Sequence, residues 1–218
     1  MAPLLNTLAT ADQNARTPSR EDGIPADFED DLRMYGCQLI QQAGILLELP
    51  QKTMATAQVL FQRFWFVTSM RALSIRDVGL GALFLSTKLE ETPIRLRDLI
   101  NVFDFLIKRA LHSSAGSPCP RVVQYQQRRH GKGKHEEKSV DSGQVFAYQG
   151  HDYFSDDFYD TKDAMVIAEM QILKRLGFNV QVNLPYATMI NYLQLLGLTA
   201  TDRHPGVAQR AWSFLNDA

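Results

Sequence analysis

Residues 78–87 read VGLGALFLST, a run without a single charged side chain. It sits inside a stretch from about Ile75 to Glu91 that reads as one helix. A helix that is uncharged on every side is a helix buried on every side. Gly79, Gly81, Ala82 and Ser86 are small, so neighbouring helices can approach the backbone closely. Each mid-helix glycine costs on the order of 1 kcal/mol relative to alanine, so packing rather than propensity decides these positions. The stretch is expected to form the central rod of a helical bundle.

The segments on either side supply the rest of the bundle. Upstream, Leu32, Tyr35, Leu39, Ile40, Ala43, Leu46 and Leu47 fall at three- and four-residue steps and predict a helix from about Asp31 to Leu47. Pro50 breaks the chain, and Met54, Ala57, Phe61, Phe64 and Trp65 share the inner side of a second helix, about Gln51 to Met70. Downstream, Thr92-Pro93 suits an N-cap followed by a first-turn proline. Leu96, Leu99, Ile100, Phe103, Leu106 and Ile107 then make an apolar stripe on a helix from about Ile94 to Leu111. A fifth helix is expected from about Asp160 to Gly177, a glycine suited to a helix end. Val180 to Val182 read as extended, Pro185 opens a helix that stops near Gly197, and a last one covers about 205–218. No strand pattern of any length interrupts the series, so the fold class is all-α. Residues 1–30 are polar, carry scattered prolines and read as a flexible arm. Residues 112–157 contain SSAGSPCP, RRHGKGKHEEK and DSGQ, show no apolar period and read as a disordered surface insertion.

The chain has 218 residues, 45% of them hydrophobic and 22% charged, ordinary values for a globular protein. Its net charge of −1 provides no overall field toward nucleic acid or anionic lipid. Cys37 and Cys119 form no CxxC pair and are expected to be reduced thiols, as in the cytosol or nucleus. The first residues show no basic region followed by an apolar run, so no signal peptide is read there, and no stretch is long and apolar enough for a membrane span. The expectation is a soluble intracellular protein with no cofactor. His112, His130, His135 and His151 cluster in the insertion without metal-ligand spacing to one another or to Cys119. There is no Gly-rich phosphate loop, no HExxH and no GxSxG, and Glu90 and Glu91 diverge around a helix. No catalytic residue and no metal site is proposed, and the chain is expected not to be an enzyme.

Two charged residues stand out. At 100° per residue, Met165, Ala168, Ile172, Leu173 and Leu176 share one face of the fifth helix, and Glu169 lands among them. A carboxylate there must meet a donor or pay a desolvation cost of about several kcal/mol. It is either an internal ion-pair or capping group, or a carboxylate held at the rim for a partner's N–H or lysine. Lys88 is the first charge after the uncharged run. It is either a plain C-terminal cation favoured by the helix dipole or part of the same surface. Spacing along the chain does not place the two together.

These residues also carry a resemblance. STKLEE (86–91) closing the third helix and AEMQILKRLGF (168–178) in the fifth resemble the cyclin box. YGCQLIQQAGILLELPQKTMATAQVLFQRFW (35–65), RLRDLINVF (95–103) and LKRLGFNVQVNLPY (173–186) resemble the cyclin L type, linked to RNA polymerase II transcription and pre-mRNA splicing. The likeness covers roughly 33–111 and 158–218. It implies a first cyclin box over 31–180, a five-helix bundle around a buried central helix, and a partial second box over 184–218. It also implies a nuclear regulatory subunit that binds and activates a cyclin-dependent kinase as a heterodimer. Lys88 and Glu169 match the lysine and glutamate with which cyclins grip the kinase's regulatory helix, and Leu89, Phe103, Phe105 and Leu106 are candidates for the apolar remainder. For Phe103 and Leu106, ordinary core packing is an equal alternative.

The sequence departs from that family pattern in two places. The insertion holds six basic and two acidic side chains between Arg121 and Lys138, either a solvated loop or a nuclear-targeting or RNA-touching patch. The second repeat stops after about two helices, which leaves Ile190, Tyr192, Leu193, Trp212, Phe214 and Leu215 to pack on the first repeat or stay exposed. A rival reading is a cyclin-fold general transcription factor that binds DNA or protein without a kinase. Glu90, Glu91, Asp98 and Asp104 oppose the basic stripe that DNA binding requires, so nucleic acid is not the expected partner.

Overall fold

A computed structural model describes residues 9–114, 148–152, 155–198 and 206–217. Along them run α1 (Ala11–Ala15), α2 (Pro18–Glu21), α3 (Ala26–Leu46), α4 (Gln51–Trp65), α5 (Ile75–Leu89), α6 (Leu96–Ser114), α7 (Asp156–Arg175), α8 (Tyr186–Leu195) and α9 (Val207–Asp217). No strand occurs among the described residues, and the fold is all-α.

α5 is the central rod, in contact with α3, α4, α6 and α7. Val78, Leu80, Ala82 and Leu83 are fully buried, and Ser86 and Thr87 turn their hydroxyls back onto the carbonyls of Leu83 and Phe84, so neither hydroxyl of this helix is stranded. Gly81 faces the backbone of α7: a β-carbon there would lie 2.9 Å from the Glu169 nitrogen and 3.1 Å from the Ala168 β-carbon. Only glycine lets the two helices cross this closely.

α4 buries Met54, Ala57, Leu60, Phe61, Phe64 and Trp65, with Trp65 edge-on to both Phe61 and Phe64. The helix ends at Trp65, short of the expected Met70, and turns occupy the stretch before α5. α3 buries Leu39, Ile40 and Ala43 of the expected face, but not its edge. Its buried residues are Glu29, Arg33, Gly36, Leu39, Ile40, Ala43 and Gly44, whereas Tyr35 and Leu46 point outward. Gly36 makes room for the Phe61 ring and Gly44 for the Met54 side chain, positions where a β-carbon would overlap them.

Residues 9–30 also differ from the flexible arm expected from their polarity. They form α1, α2 and the first turn of α3, and Thr17 and Ser19 are buried. The cause is a charge cluster built on Glu29. Its carboxylate accepts from Thr17 Oγ1 at 2.7 Å, Arg20 Nε at 2.8 Å and Arg33 Nη2 at 2.7 Å. Arg33 donates onward to the Trp65 carbonyl and the Gln62 side chain, and Ser19 Oγ accepts from Met70 N. Burial by itself raises the Glu29 pKa, but the bonds from Thr17, Arg33 and Arg20 together outweigh it and hold the carboxyl below its ordinary range.

Helix ends follow a common closure. After α3, α5, α7 and α8 the backbone turns back in a Schellman motif, for example Thr92 N to Thr87 O at 2.9 Å and Leu49 N to Gly44 O at 2.9 Å. Gly177 and Gly197 occupy the left-handed position after α7 and α8, while Glu48 and Glu91 do so after α3 and α5. Thr92 is therefore part of the closure of α5, and α6 starts at Leu96 rather than near Ile94.

The ends of the expected 112–157 insertion are ordered. α6 continues to Ser114, residues 148–152 lie against α6, and α7 begins at Asp156, a turn before the expected start. Cys119, His130, His135 and the basic run 121–138 lie outside the described residues. α8 and α9 pack chiefly on one another, through a Tyr186–Trp212 ring contact at 4.6 Å and a Tyr186 hydroxyl bond to Asn216. Leu193 is buried, whereas Ile190, Tyr192, Trp212 and Phe214 keep exposed surface.

Candidate partner-binding surface

Lys88 lies in the last turn of α5, where the helix dipole favours a cation. Its ammonium sits 4.1 Å from the centroid of the Phe84 ring, one turn back. It reaches Glu169 Oε1 on α7 at 2.6 Å. The two side chains come from positions 81 apart, brought together by the close α5–α7 crossing at Gly81. The Lys88 side chain is 51% exposed and that of Glu169 is 12% exposed. The ammonium of Lys88 thus remains within reach of a neighbouring molecule, while Glu169 is largely covered and held by it.

Apolar surface lies near the pair. Leu89, next to Lys88, is exposed, and on α7 Val166, three residues before Glu169, is exposed beside it, with Met170 and Ile167 exposed farther round the helix. Sequence reasoning missed these three. The signal was present: three apolar residues of the fifth helix outside the face formed by Met165, Ala168, Ile172, Leu173 and Leu176.

The other candidates divide by depth. Phe103 is fully buried and Leu106 nearly so; both belong to the core, and Phe103 packs beside Gly79 of α5. The helical period identified their face correctly as apolar, but that face turns toward α3 and α5. Phe105 is half-buried, and the Tyr148 ring stands edge-on to it at 5.3 Å. Tyr148 donates to the Asn101 carbonyl at 2.9 Å and to Asp104 at 3.1 Å, and Asp104 also pairs with Lys108 at 2.7 Å. Residues 148–152 thus cover part of α6 on the Phe105 side. Of the acidic residues weighed against a basic stripe, Glu90 is tied to Thr56 and Lys52, and Asp104 to Lys108.

Residues 6–113 match the family pattern described as Cyclin, N-terminal domain. The chain is 36% identical over 215 residues to Cyclin-L2 of Homo sapiens, which covers 99% of this chain and 34% of that protein. It is 35% identical over 213 residues to Cyclin-L1 of Danio rerio, covering 98% of this chain and 35% of the relative. Cyclin-L1 of Homo sapiens is also 35% identical over 213 residues, covering 98% of this chain and 34% of the relative. The chain belongs to the cyclin family. Its similarity within that family is to cyclins of the L type, and it spans about a third of the length of the curated relatives it matches. Cyclins are regulatory subunits rather than enzymes. No helix among the described residues of this cyclin is long and apolar enough to cross a membrane.

Proposed function

We propose that this cyclin binds and activates a cyclin-dependent serine/threonine kinase in the nucleus, acting in RNA polymerase II transcription and pre-mRNA splicing. The Lys88–Glu169 pair carries the reading. A rigid helical crossing presents a cation and an anion side by side, the cation half open to solvent and the anion near the surface, with Leu89 and Val166 exposed next to them. Such a surface suits the backbone where a loop enters a partner's helix: Lys88 donates to carbonyls of the loop, Glu169 accepts from free N–H groups at the helix start, and the apolar neighbours exclude water.

The mechanism follows from kinase chemistry. A kinase transfers phosphate only when its strand lysine pairs with a glutamate of its regulatory helix. A pre-formed surface that binds the inward position of that helix more tightly than the outward one shifts the population toward the active state. Phe105 contributes at the edge of this surface. Phe103 and Leu106 act from beneath, by fixing α6. The first cyclin box over 31–180 forms the docking body, with the partial second box over 184–218 appended to it.

The test is a titration of purified chain against a purified cyclin-dependent kinase, read as peptide phosphorylation. Lys88→Ala with Glu169→Ala is expected to lower activation by at least tenfold while helical circular dichroism is unchanged. Full activation by the folded double variant would refute the assignment.

A further inference from the structure

The N-terminal charge cluster encloses a phosphorylation motif. Thr17-Pro18-Ser19-Arg20 has the form required by proline-directed serine/threonine kinases, a hydroxyl residue before proline with a basic residue three positions on. Thr-Pro is also a common helix start, and Thr17 does cap α2 by accepting from Arg20 N. Capping does not account for the rest of the arrangement. Thr17 is only 1% exposed, and its hydroxyl donates to the wholly buried Glu29 carboxylate at 2.7 Å.

We infer that Thr17 is a modification site and that its phosphorylation releases α1 and α2 from the bundle. The reaction is ordinary phosphoryl transfer. Thr17 Oγ1 attacks the γ-phosphorus of ATP, the bond from that phosphorus to the ADP oxygen breaks, and the hydroxyl proton passes to the kinase's catalytic aspartate. The product cannot return to the closed position. Phosphothreonine carries about −1.5 to −2 charges at neutral pH and no longer has the hydroxyl proton that Glu29 accepts. Three phosphate oxygens would stand against a carboxylate with no solvent-exposed surface. The cations do not rescue it. Arg33 is committed to Glu29, Trp65 O and Gln62, and Arg20 to Glu29, Asn14 O and Asp30. Release also frees Met70 N, which Ser19 Oγ holds, so the turn before α5 is loosened with the arm.

Because Thr17 is buried, modification captures a transiently open arm, and the closed cluster sets its rate. The proposal does not require that this chain itself activate a kinase. The full chain is incubated with a purified proline-directed kinase and ATP beside a peptide of residues 12–24. Phosphate at Thr17 is followed by mass spectrometry, and backbone amide exchange is then measured. Expected are slower incorporation into the chain than into the peptide, faster incorporation into the Glu29→Gln chain, and at least tenfold faster exchange over residues 17–24 once modified, with α5 and α7 unchanged. Thr17→Ala takes up no phosphate at this position. No incorporation into the chain when the peptide is saturated, no incorporation into either, or incorporation without faster exchange overturns the inference.

Discussion

At the scale of single residues, Gly81 and Glu29 do the most to set the architecture. A β-carbon at Gly81 meets the α7 backbone, which cannot swing aside as a flexible side chain could. Gly81→Ala regains at most about 1 kcal/mol of helix propensity, against an overpacking cost of about 1–3 kcal/mol. A net loss of stability is expected by thermal denaturation, together with weaker kinase activation as the α5–α7 crossing widens. Glu29 sets a pH dependence. Its folded pKa lies below the ordinary value of 4.5, so the unfolded chain binds the proton more readily. The cluster's contribution is therefore fully present above that value and is lost as pH falls through the lowered one. Glu29→Gln leaves Arg33 buried without its anion and is expected to cost about 3 kcal/mol at neutral pH. A melting series from pH 7 to pH 3 checks both: the wild-type midpoint falls more steeply than that of the variant. Glu169 was legible in the sequence because a carboxylate in an apolar stripe is an anomaly whatever the fold. Its contact with Lys88 was not, because the crossing of two helices is a tertiary fact. The cluster at Glu29 was missed for a related reason: Glu29 and Arg33 form an i,i+4 pair, the usual mark of a solvated face.

At the scale of elements, the apolar periods located the rod and its neighbours, but depth and ends were less visible. Tyr35 and Leu46 continued the stripe of α3 in sequence, yet the helix rotates so that two glycines receive Phe61 and Met54 instead. Helix closure was readable where glycine marked it, at Gly177 and Gly197, and hidden where glutamate stands in the same left-handed position. Glu91 has φ of 53°, and a side chain there costs about 1 kcal/mol relative to glycine. It is exposed and makes no side-chain bond that the closure of α5 depends on. Glu91→Gly is expected to raise stability by about 0.5–1 kcal/mol, seen as a higher denaturant midpoint with unchanged slope. Its proximity to Lys88 makes kinase activation a second readout, expected to be retained.

At the scale of the whole molecule, the central rod, the all-α class and the order of the bundle helices followed from one uncharged run and its flanks. The packed α1–α2 segment did not, because polar composition says nothing of a buried network that satisfies polar groups with one another. The net charge of −1 returns here with the Lys88–Glu169 contact. Two opposite charges already tied together act at a distance as a dipole, whose field fades faster than that of a bare ion and is further damped within about 10 Å at ordinary salt. The molecule thus offers an approaching kinase little long-range pull. Capture should proceed at an unsteered pace of about 10⁵–10⁷ M⁻¹s⁻¹ that hardly changes between low and high salt in stopped-flow mixing. Recognition then falls to the lifetime of the complex, and this cyclin would select its kinase by how slowly it lets go.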